Sequence, residues 1–252
     1  IHEQGARVSI QLMHPGMLLL LLPSLPQSMT VKVPTITPWM VAKKPYQEVS
    51  QRDIERYLSD FAEAAHRAMQ VGADAVELHA CHGCLLSTFL SPATNRRTDQ
   101  YGGSVENRAR FAQRTVMAIR QRVGTEFPLT VRINGNEDVK GGITADEVVQ
   151  QALILESAGA DAISAINTVG PGMLVDVETA QPVLSNRVGG VSGPGIRPIA
   201  VRCVYDICSA VDVPVIGIGG VSTGRDAAEM ITVGAKAVGV GADRDHFGGI
   251  AA

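Results

Sequence analysis

Six short apolar runs, most of them separated by stretches with the period of an amphipathic helix, recur along this chain. That alternation is the mark of βα units arranged around a parallel sheet. The runs predict strands over residues 7–12, 75–79, 129–133, 162–166, 213–218 and 237–240. Ser50 with Asp53 three residues on reads as a weak capping box, and Ile54, Tyr57, Leu58, Phe61, Ala64 and Ala65 share one face of a helix running to about Gln70. A polar loop over 91–104 leads into a second helix ending near Val123. Thr144 caps a third that reaches about Ala158, with Gly159 as its C-cap. Helices over 199–210 and 224–233 precede the last two strands, while 23–45 reads as a Pro-rich loop and 170–198 as a Gly/Pro-rich segment.

The expected fold is therefore α/β, a TIM-type (β/α) barrel in a single domain over 1–252. A closed barrel of this class needs about eight strands, and six are legible. The simplest account is that the first two βα units are lacking. An open six-stranded sheet is the alternative, and its bare edges would need covering. The chain opens on Ile1 and stops at Ala252 after a Gly-rich stretch, and both ends read as cut.

With 45% hydrophobic and 19% charged residues, a sizeable core is available and disorder is not expected. A net charge of −3 gives no case for nucleic acid or an anionic membrane as partner. The apolar run from Met17 to Leu22 is far short of the ~20 residues of a membrane span. Cys81 and Cys84 form a lone C-x-x-C among four cysteines, so no metal is expected, and a cytoplasmic protein with free thiols is the default reading.

In a βα barrel, the strand C-terminal ends and the loops after them face the active site. Gln11 stands near the end of the first run, able to give and take hydrogen bonds with one planar ring, or else a loop-capping amide. After the second run, Glu77-Leu-His79-Ala-Cys81-His82-Gly-Cys84 places two histidines three apart. Two imidazole N–H donors aimed at a carbonyl oxygen would stabilise the enolate formed when hydride reaches the β-carbon. A metal pair, or a histidine satisfied by backbone groups, is the competing reading. Arg132 lies inside an apolar run and needs an anionic partner, either a reduced flavin near N1 and O2 or a carboxylate such as Glu77. Asn167-Thr168, Gly219-Gly220 and Gly241-Ala242 follow the last three runs. Small residues there let backbone N–H groups approach a phosphate.

These residues carry two resemblances. Residues 2–165 resemble the Old Yellow Enzyme family of NAD(P)H:flavin oxidoreductases, including its 2,4-dienoyl-CoA reductase-like members. The carrying stretches are Gln11-Leu-Met-His-Pro-Gly16, Val76-Glu-Leu-His-Ala-Cys-His-Gly83, Phe89-Leu-Ser-Pro92, and the long run from Asn95 to Arg108. Residues 161–242 resemble the catalytic subunit of dihydroorotate dehydrogenase, through Ile166-Asn-Thr-Val-Gly-Pro-Gly-Met173, Gly189-Gly-Val-Ser-Gly-Pro194, Ile216-Gly-Ile-Gly-Gly220 and Gly234-Ala-Lys-Ala-Val-Gly-Val-Gly241. Both families are FMN barrels.

The resemblance implies that Gln11 touches the flavin ring and Arg132 its N1/O2 edge. His79 and His82 would bind the substrate carbonyl, Asn167 would contact substrate, and Gly190, Ser192, Gly219, Gly220 and Gly241 would line the FMN phosphate. NADH or NADPH is the implied reductant. Cys84 stands where the Old Yellow Enzyme pattern has its proton-donating tyrosine, which makes it the candidate donor. The cysteine base of the dihydroorotate dehydrogenases falls on His82, with Cys81 just before it, and an asparagine is expected where His79 stands. The arginine that follows the final glycine in the Old Yellow Enzyme pattern is displaced: Ala242 comes next, and Arg244 later.

Three readings compete: an FMN-dependent ene-reductase-like enzyme, a dihydroorotate dehydrogenase-like enzyme running the oxidation, and a truncated, non-catalytic barrel or part of a larger assembly. The first two imply a small substrate with an activated C=C or CH–CH bond. A homo-oligomer or an electron-transfer partner stays open.

Overall fold

The computed structural model describes residues 1–17, 30–35 and 46–241, together with the backbone of 250 and 251. Ala242, Arg244 and most of the Pro-rich loop over 23–45 lie outside the described residues. The strands are β1 (Ser9–Leu12), β2 (Val31–Val33), β3 (Tyr46–Glu48), β4 (Ala75–Ala80), β5 (Leu129–Ile133), β6 (Ala162–Ala165), β7 (Val169–Gly172), β8 (Val175–Asp176), β9 (Gln181–Pro182), β10 (Gly189–Val191), β11 (Val215–Ile218), β12 (Ala237–Gly239) and β13 (Ile250–Ala251). The helices are α1 (Gln51–Gln70), α2 (Leu85–Leu90), α3 (Val105–Val123), α4 (Ala145–Ser157), α5 (Arg197–Cys208) and α6 (Gly224–Thr232).

The main sheet has six parallel strands in the order β1-β4-β5-β6-β11-β12. Each neighbour in space is the next βα unit in sequence, the strand order of a (β/α) barrel. Among the described residues the sheet covers part of that circle, with β1 and β12 at its edges. Alternation of side chains divides its two faces. Leu12, Val76, Leu78, Ala80, Leu129, Val131, Ile133, Ile163, Ala165 and Val215 join one continuous core with the helices. The alternate set, Gln11, Glu77, His79, Thr130, Arg132, Ser164 and Ile216, therefore points to the helix-free face. In a barrel that face is the interior.

Local signals explain the helix starts. Ser50 Oγ accepts from Asp53 N, and Asp53 returns a bond from Ser50 N, so the weak capping box read from sequence is a full one. Thr144 with Glu147 and Thr223 with Asp226 repeat it at α4 and α6. Three things differ from the sequence reading. β2 lies within the stretch over 23–45 read as a Pro-rich loop, and it pairs in parallel with β3. α2 was not anticipated, because all six of its residues are buried and leave no amphipathic period. The segment over 170–198 is not simply a loop: it holds β8, β9, β10 and nearly all of β7, and β10 pairs antiparallel with both β7 and β13.

The run from Asn95 to Arg108 acts as a loop clamp. Asn95 Nδ2 donates to Phe89 O and Tyr101 O, each at 2.7 Å. Arg108 is buried and donates to Leu90 O, Gly103 O and Glu147. This holds α2 against α3, where Phe89 meets Phe111 edge-on at 4.9 Å.

Candidate active site

Register places the polar side chains of the helix-free face in rows. Gln11 lies opposite Glu77, and its Nε2 donates to Glu77 Oε1 at 2.6 Å. One step on, His79, Arg132, Ser164 and Ile216 are consecutive partners across β4, β5, β6 and β11. Arg132 Nη2 makes one long bond, 3.4 Å, to Ile166 O. Its Nε and the neighbouring Ser164 Oγ are buried with no partner. Among the described residues Arg132 forms no ion pair, and Glu77, the partner considered from sequence, is engaged by Gln11 instead. A buried guanidinium N–H and a hydroxyl left open side by side are suited to a planar, electron-rich acceptor. The flavin N1/O2 edge fits this description.

A second cluster forms where the loops leave β4, β5 and β6. His82 adopts φ +60°, and its backbone N–H donates to Asn134 Oδ1 at 3.1 Å. Its ring Nε2 lies 2.7 Å from Thr168 Oγ1 and its Nδ1 lies 2.8 Å from Asn167 Nδ2. Asn167 Nδ2 is also 2.8 Å from Cys81 Sγ, and Asn167 Oδ1 accepts from Thr168 N at 2.8 Å. Cys81 Sγ in turn is 3.5 Å from both ring nitrogens of His79. The same loops enclose a cavity of about 610 Å³ whose lining includes His82, Asn134, Glu137, Asn167, Thr168 and Gly190. Glu137 is fixed there by Ser91 Oγ, Ile143 N and Asn134 Nδ2.

Burial sets the charge states. It pulls His79 down to about 4, with His82 and Arg132 adding repulsion, so the ring is neutral at physiological pH. His82 is lowered by burial of its inner side and by Arg132. Burial raises the Cys81 thiol to about 12 and the Cys84 thiol to about 11, so both keep their protons.

The residues singled out from sequence fall into separate places. His79 and His82 are neighbours, with ring centroids 6.0 Å apart and planes at 48°, but both nitrogens of His82 already have protein partners. Asn167 joins them. Arg132 and Gln11 are on the helix-free face. Cys84 is the N-cap of α2, 1% exposed, and does not line the cavity. Gly190 is in β10, where an added Cβ would stand 2.2 Å from Thr168 Oγ1. Ser192 follows it, half-buried. Gly219 and Gly220 follow β11 before the capped start of α6. Gly220 has φ +68°, and a Cβ on it would stand 2.7 Å from Gly193 O, so the two glycine loops touch. Gly241 is exposed beyond β12, and an added Cβ would meet nothing within 4 Å among the described residues. Asn134, Glu137 and Ser91 were missed. The polar run Asn134-Gly-Asn-Glu137 directly after a barrel strand was the available signal. Among the described residues, no group of three or more His, Cys, Asp and Glu could hold a metal ion, and no helix is long and apolar enough to cross a membrane.

The profile of the NADH:flavin oxidoreductase / NADH oxidase family matches residues 1–243. The catalytic subunit of dihydroorotate dehydrogenase B (NAD(+)) from Methanothermobacter thermautotrophicus is 37% identical over 187 residues, 72% of this chain and 52% of the relative. An NADH oxidase from Thermoanaerobacter brockii is 36% identical over 159 residues, 63% of this chain and 24% of the relative. The chain thus spans about half the length of the first of these curated relatives and less of the second. Among solved structures, morphinone reductase in complex with tetrahydroNAD superposes with a TM-score of 0.67 at 25% identity, over 94% of this chain and 62% of its own. The Old Yellow Enzyme homologue from Zymomonas mobilis shares the fold, with a TM-score of 0.67 over 95% of this chain and 64% of its own, at 24% identity. Both resemblances read from the sequence recur in these matches.

Proposed function

Because the chain belongs to the NADH:flavin oxidoreductase / NADH oxidase family, we propose that it is an FMN-dependent oxidoreductase acting on a carbon–carbon bond conjugated to a carbonyl, with NADH or NADPH as reductant. The observation that carries this reading is Arg132, whose buried Nε is without a partner on the face that becomes a barrel interior, directly beside His79. When bound, FMN supplies the hydride chemistry; the chain orients and tunes it. Arg132 would hold negative charge at the N1/O2 edge, with Gln11 on the same face. The loops carrying Gly190, Ser192, Gly219, Gly220 and Gly241 would take the phosphate. Strands beyond β1 and β12 would close the sheet.

His82 and Asn167 line the 610 Å³ cavity, which would take the substrate, a small molecule with an activated C=C bond; His79 would act from behind it, 6.0 Å from His82 ring to ring. We favour the ene-reductase direction, because the neutral His82 ring and the Thr168 hydroxyl it is bonded to form a hydrogen-bonding cavity wall that suits a carbonyl gaining charge on its oxygen. Asn167-Thr168 at the cavity wall is the specific feature that favours dihydroorotate oxidation as a second reading.

The test is a titration of the purified chain with FMN, followed by anaerobic half-reactions. Binding with a bleached flavin spectrum on NADH or NADPH addition, and recolouring by cyclohexenone, is the expected result. Bleaching by dihydroorotate instead would establish the second reading. A chain that stays colourless and takes up no added FMN would sink both, leaving a non-catalytic barrel or a part of a larger assembly.

A further inference from the structure

The Asn167 side chain has two N–H donors on Nδ2 and an acceptor on Oδ1. Thr168 N donates to Oδ1 at 2.8 Å, and this fixes which end of the amide faces which neighbour. Turning the amide over would set its NH2 group against a backbone N–H, donor against donor. With Oδ1 so held, Nδ2 points at Cys81 Sγ and His82 Nδ1, each at 2.8 Å. An amide NH2 donates and does not accept, so His82 Nδ1 must present its lone pair. The single proton of the neutral ring then sits on Nε2. Nε2 is 2.7 Å from Thr168 Oγ1. The Thr168 oxygen therefore accepts from the ring, and its own hydrogen is released toward the cavity that His82, Asn167 and Thr168 all line. The backbone N–H of His82, bonded to Asn134 Oδ1, keeps the ring in place while this happens.

We infer that Asn167 is a positioning residue that locks His82 in its Nε2–H form and so makes the Thr168 hydroxyl the hydrogen-bond donor facing a substrate carbonyl oxygen. The lock is a property of the chain alone. Only the role of Thr168 toward a substrate rests on the function proposed above. The partners come from two chain regions of different character: His82 belongs to the stretch that resembles one flavoenzyme family, and Asn167-Thr168 to the stretch that resembles the other. The lock exists because both are present.

Long-range 1H–15N correlation on ring-labelled protein, without added cofactor and at a pH where the ring is neutral, reads the tautomer directly. The His82 signals are those lost in His82→Gln. The unmodified chain is expected to show Nε2–H alone. Thr168→Val keeps that form, because Asn167 still holds Nδ1. The isosteric Asn167→Asp, whose carboxylate only accepts, moves the proton to Nδ1. An Nδ1–H ring in the unmodified chain overturns the lock, and so does Asn167→Asp without a change of tautomer. Should a variant fail to fold, the unmodified spectrum still decides. For the Thr168 donor, Thr168→Val is expected to raise the KM for cyclohexenone at least tenfold, with Thr168→Ser restoring it; an unchanged KM refutes that role. A chain that shows the lock but turns over no enone overturns the proposed function and leaves the lock standing.

Discussion

Arg132 stands directly opposite His79 across the β4–β5 ladder, and its buried Nε has no hydrogen-bond partner. A neutral imidazole beside an open guanidinium N–H is costly for an unliganded fold and useful to one that binds an electron-rich ring.

Replacing Arg132 should therefore move two quantities in opposite directions. Arg132→Met removes a half-buried cation whose buried Nε has no partner and which forms no ion pair among the described residues. The unliganded chain is expected to gain ~1–3 kcal/mol in denaturant unfolding. Its FMN affinity should fall by about 100-fold, the cost of one charge-assisted bond of ~3 kcal/mol, as read by flavin fluorescence quenching. A loss of stability in the variant would mean that the guanidinium has a structural partner.

His79 gives a pH signature. Its ordinary value is 6.5 and burial in the fold brings it to about 4. The unfolded chain therefore takes up a proton at His79 before the folded chain does. The stability contributed by the neutral ring is complete above pH 6.5 and is lost as pH falls toward 4. His14 and His82 are shifted the same way, so the comparison must be with a single variant. His79→Gln should flatten the fall in unfolding free energy across that window, by on the order of 3 kcal/mol in total. Parallel curves for the two proteins would disprove it.

The thiols should react in an order set by burial. Cys81 and Cys84 are 0% and 1% exposed, with thiols raised to about 12 and 11. Cys208 is only half-buried. Under iodoacetamide at neutral pH, peptide mass mapping should find Cys208 modified first and Cys81 and Cys84 only after unfolding. Because Cys84 lies outside the cavity lining, Cys84→Ala should change reoxidation of the reduced flavin by an enone less than about threefold. A larger selective slowing of that half-reaction would make Cys84 the proton donor.

The glycine loops separate backbone constraint from ligand contact. Gly220→Ala places a Cβ at φ +68° and 2.7 Å from a carbonyl oxygen that cannot yield, and should cost more than ~2 kcal/mol of stability in thermal or urea unfolding. Gly241→Ala meets nothing within 4 Å among the described residues and should stay within ~0.5 kcal/mol. If its backbone lines the phosphate, FMN affinity drops in Gly241→Ala with stability intact; unchanged affinity removes Gly241 from the site.

The barrel framework was legible because its signals are local. The strand at Leu129–Ile133 lies where its apolar run lies, and the other five differ by at most two residues at either end, since the period of burial is written into consecutive residues. Helix starts at Ser50 and Thr144 were readable because a cap and its partner are three residues apart. α2 escaped because a helix buried all round has no polar face, and β7 to β10 escaped because a Gly/Pro-rich stretch does not state its pairing.

The candidate site divides the same way. The residue types at strand ends, His79, His82, Arg132 and Asn167, and their likeness to two flavin-dependent families, were contained in the sequence by itself. Only the tertiary structure decided their partners. His82 and Asn167 are 85 residues apart and meet at 2.8 Å. Glu77 goes to Gln11 and leaves Arg132 open, and Cys84 turns into the core while Thr168 turns to the cavity. A hydrogen bond depends on where two atoms finish in space, and for residues on different strands that position is set by sheet register and loop closure, which no run of neighbouring residues encodes.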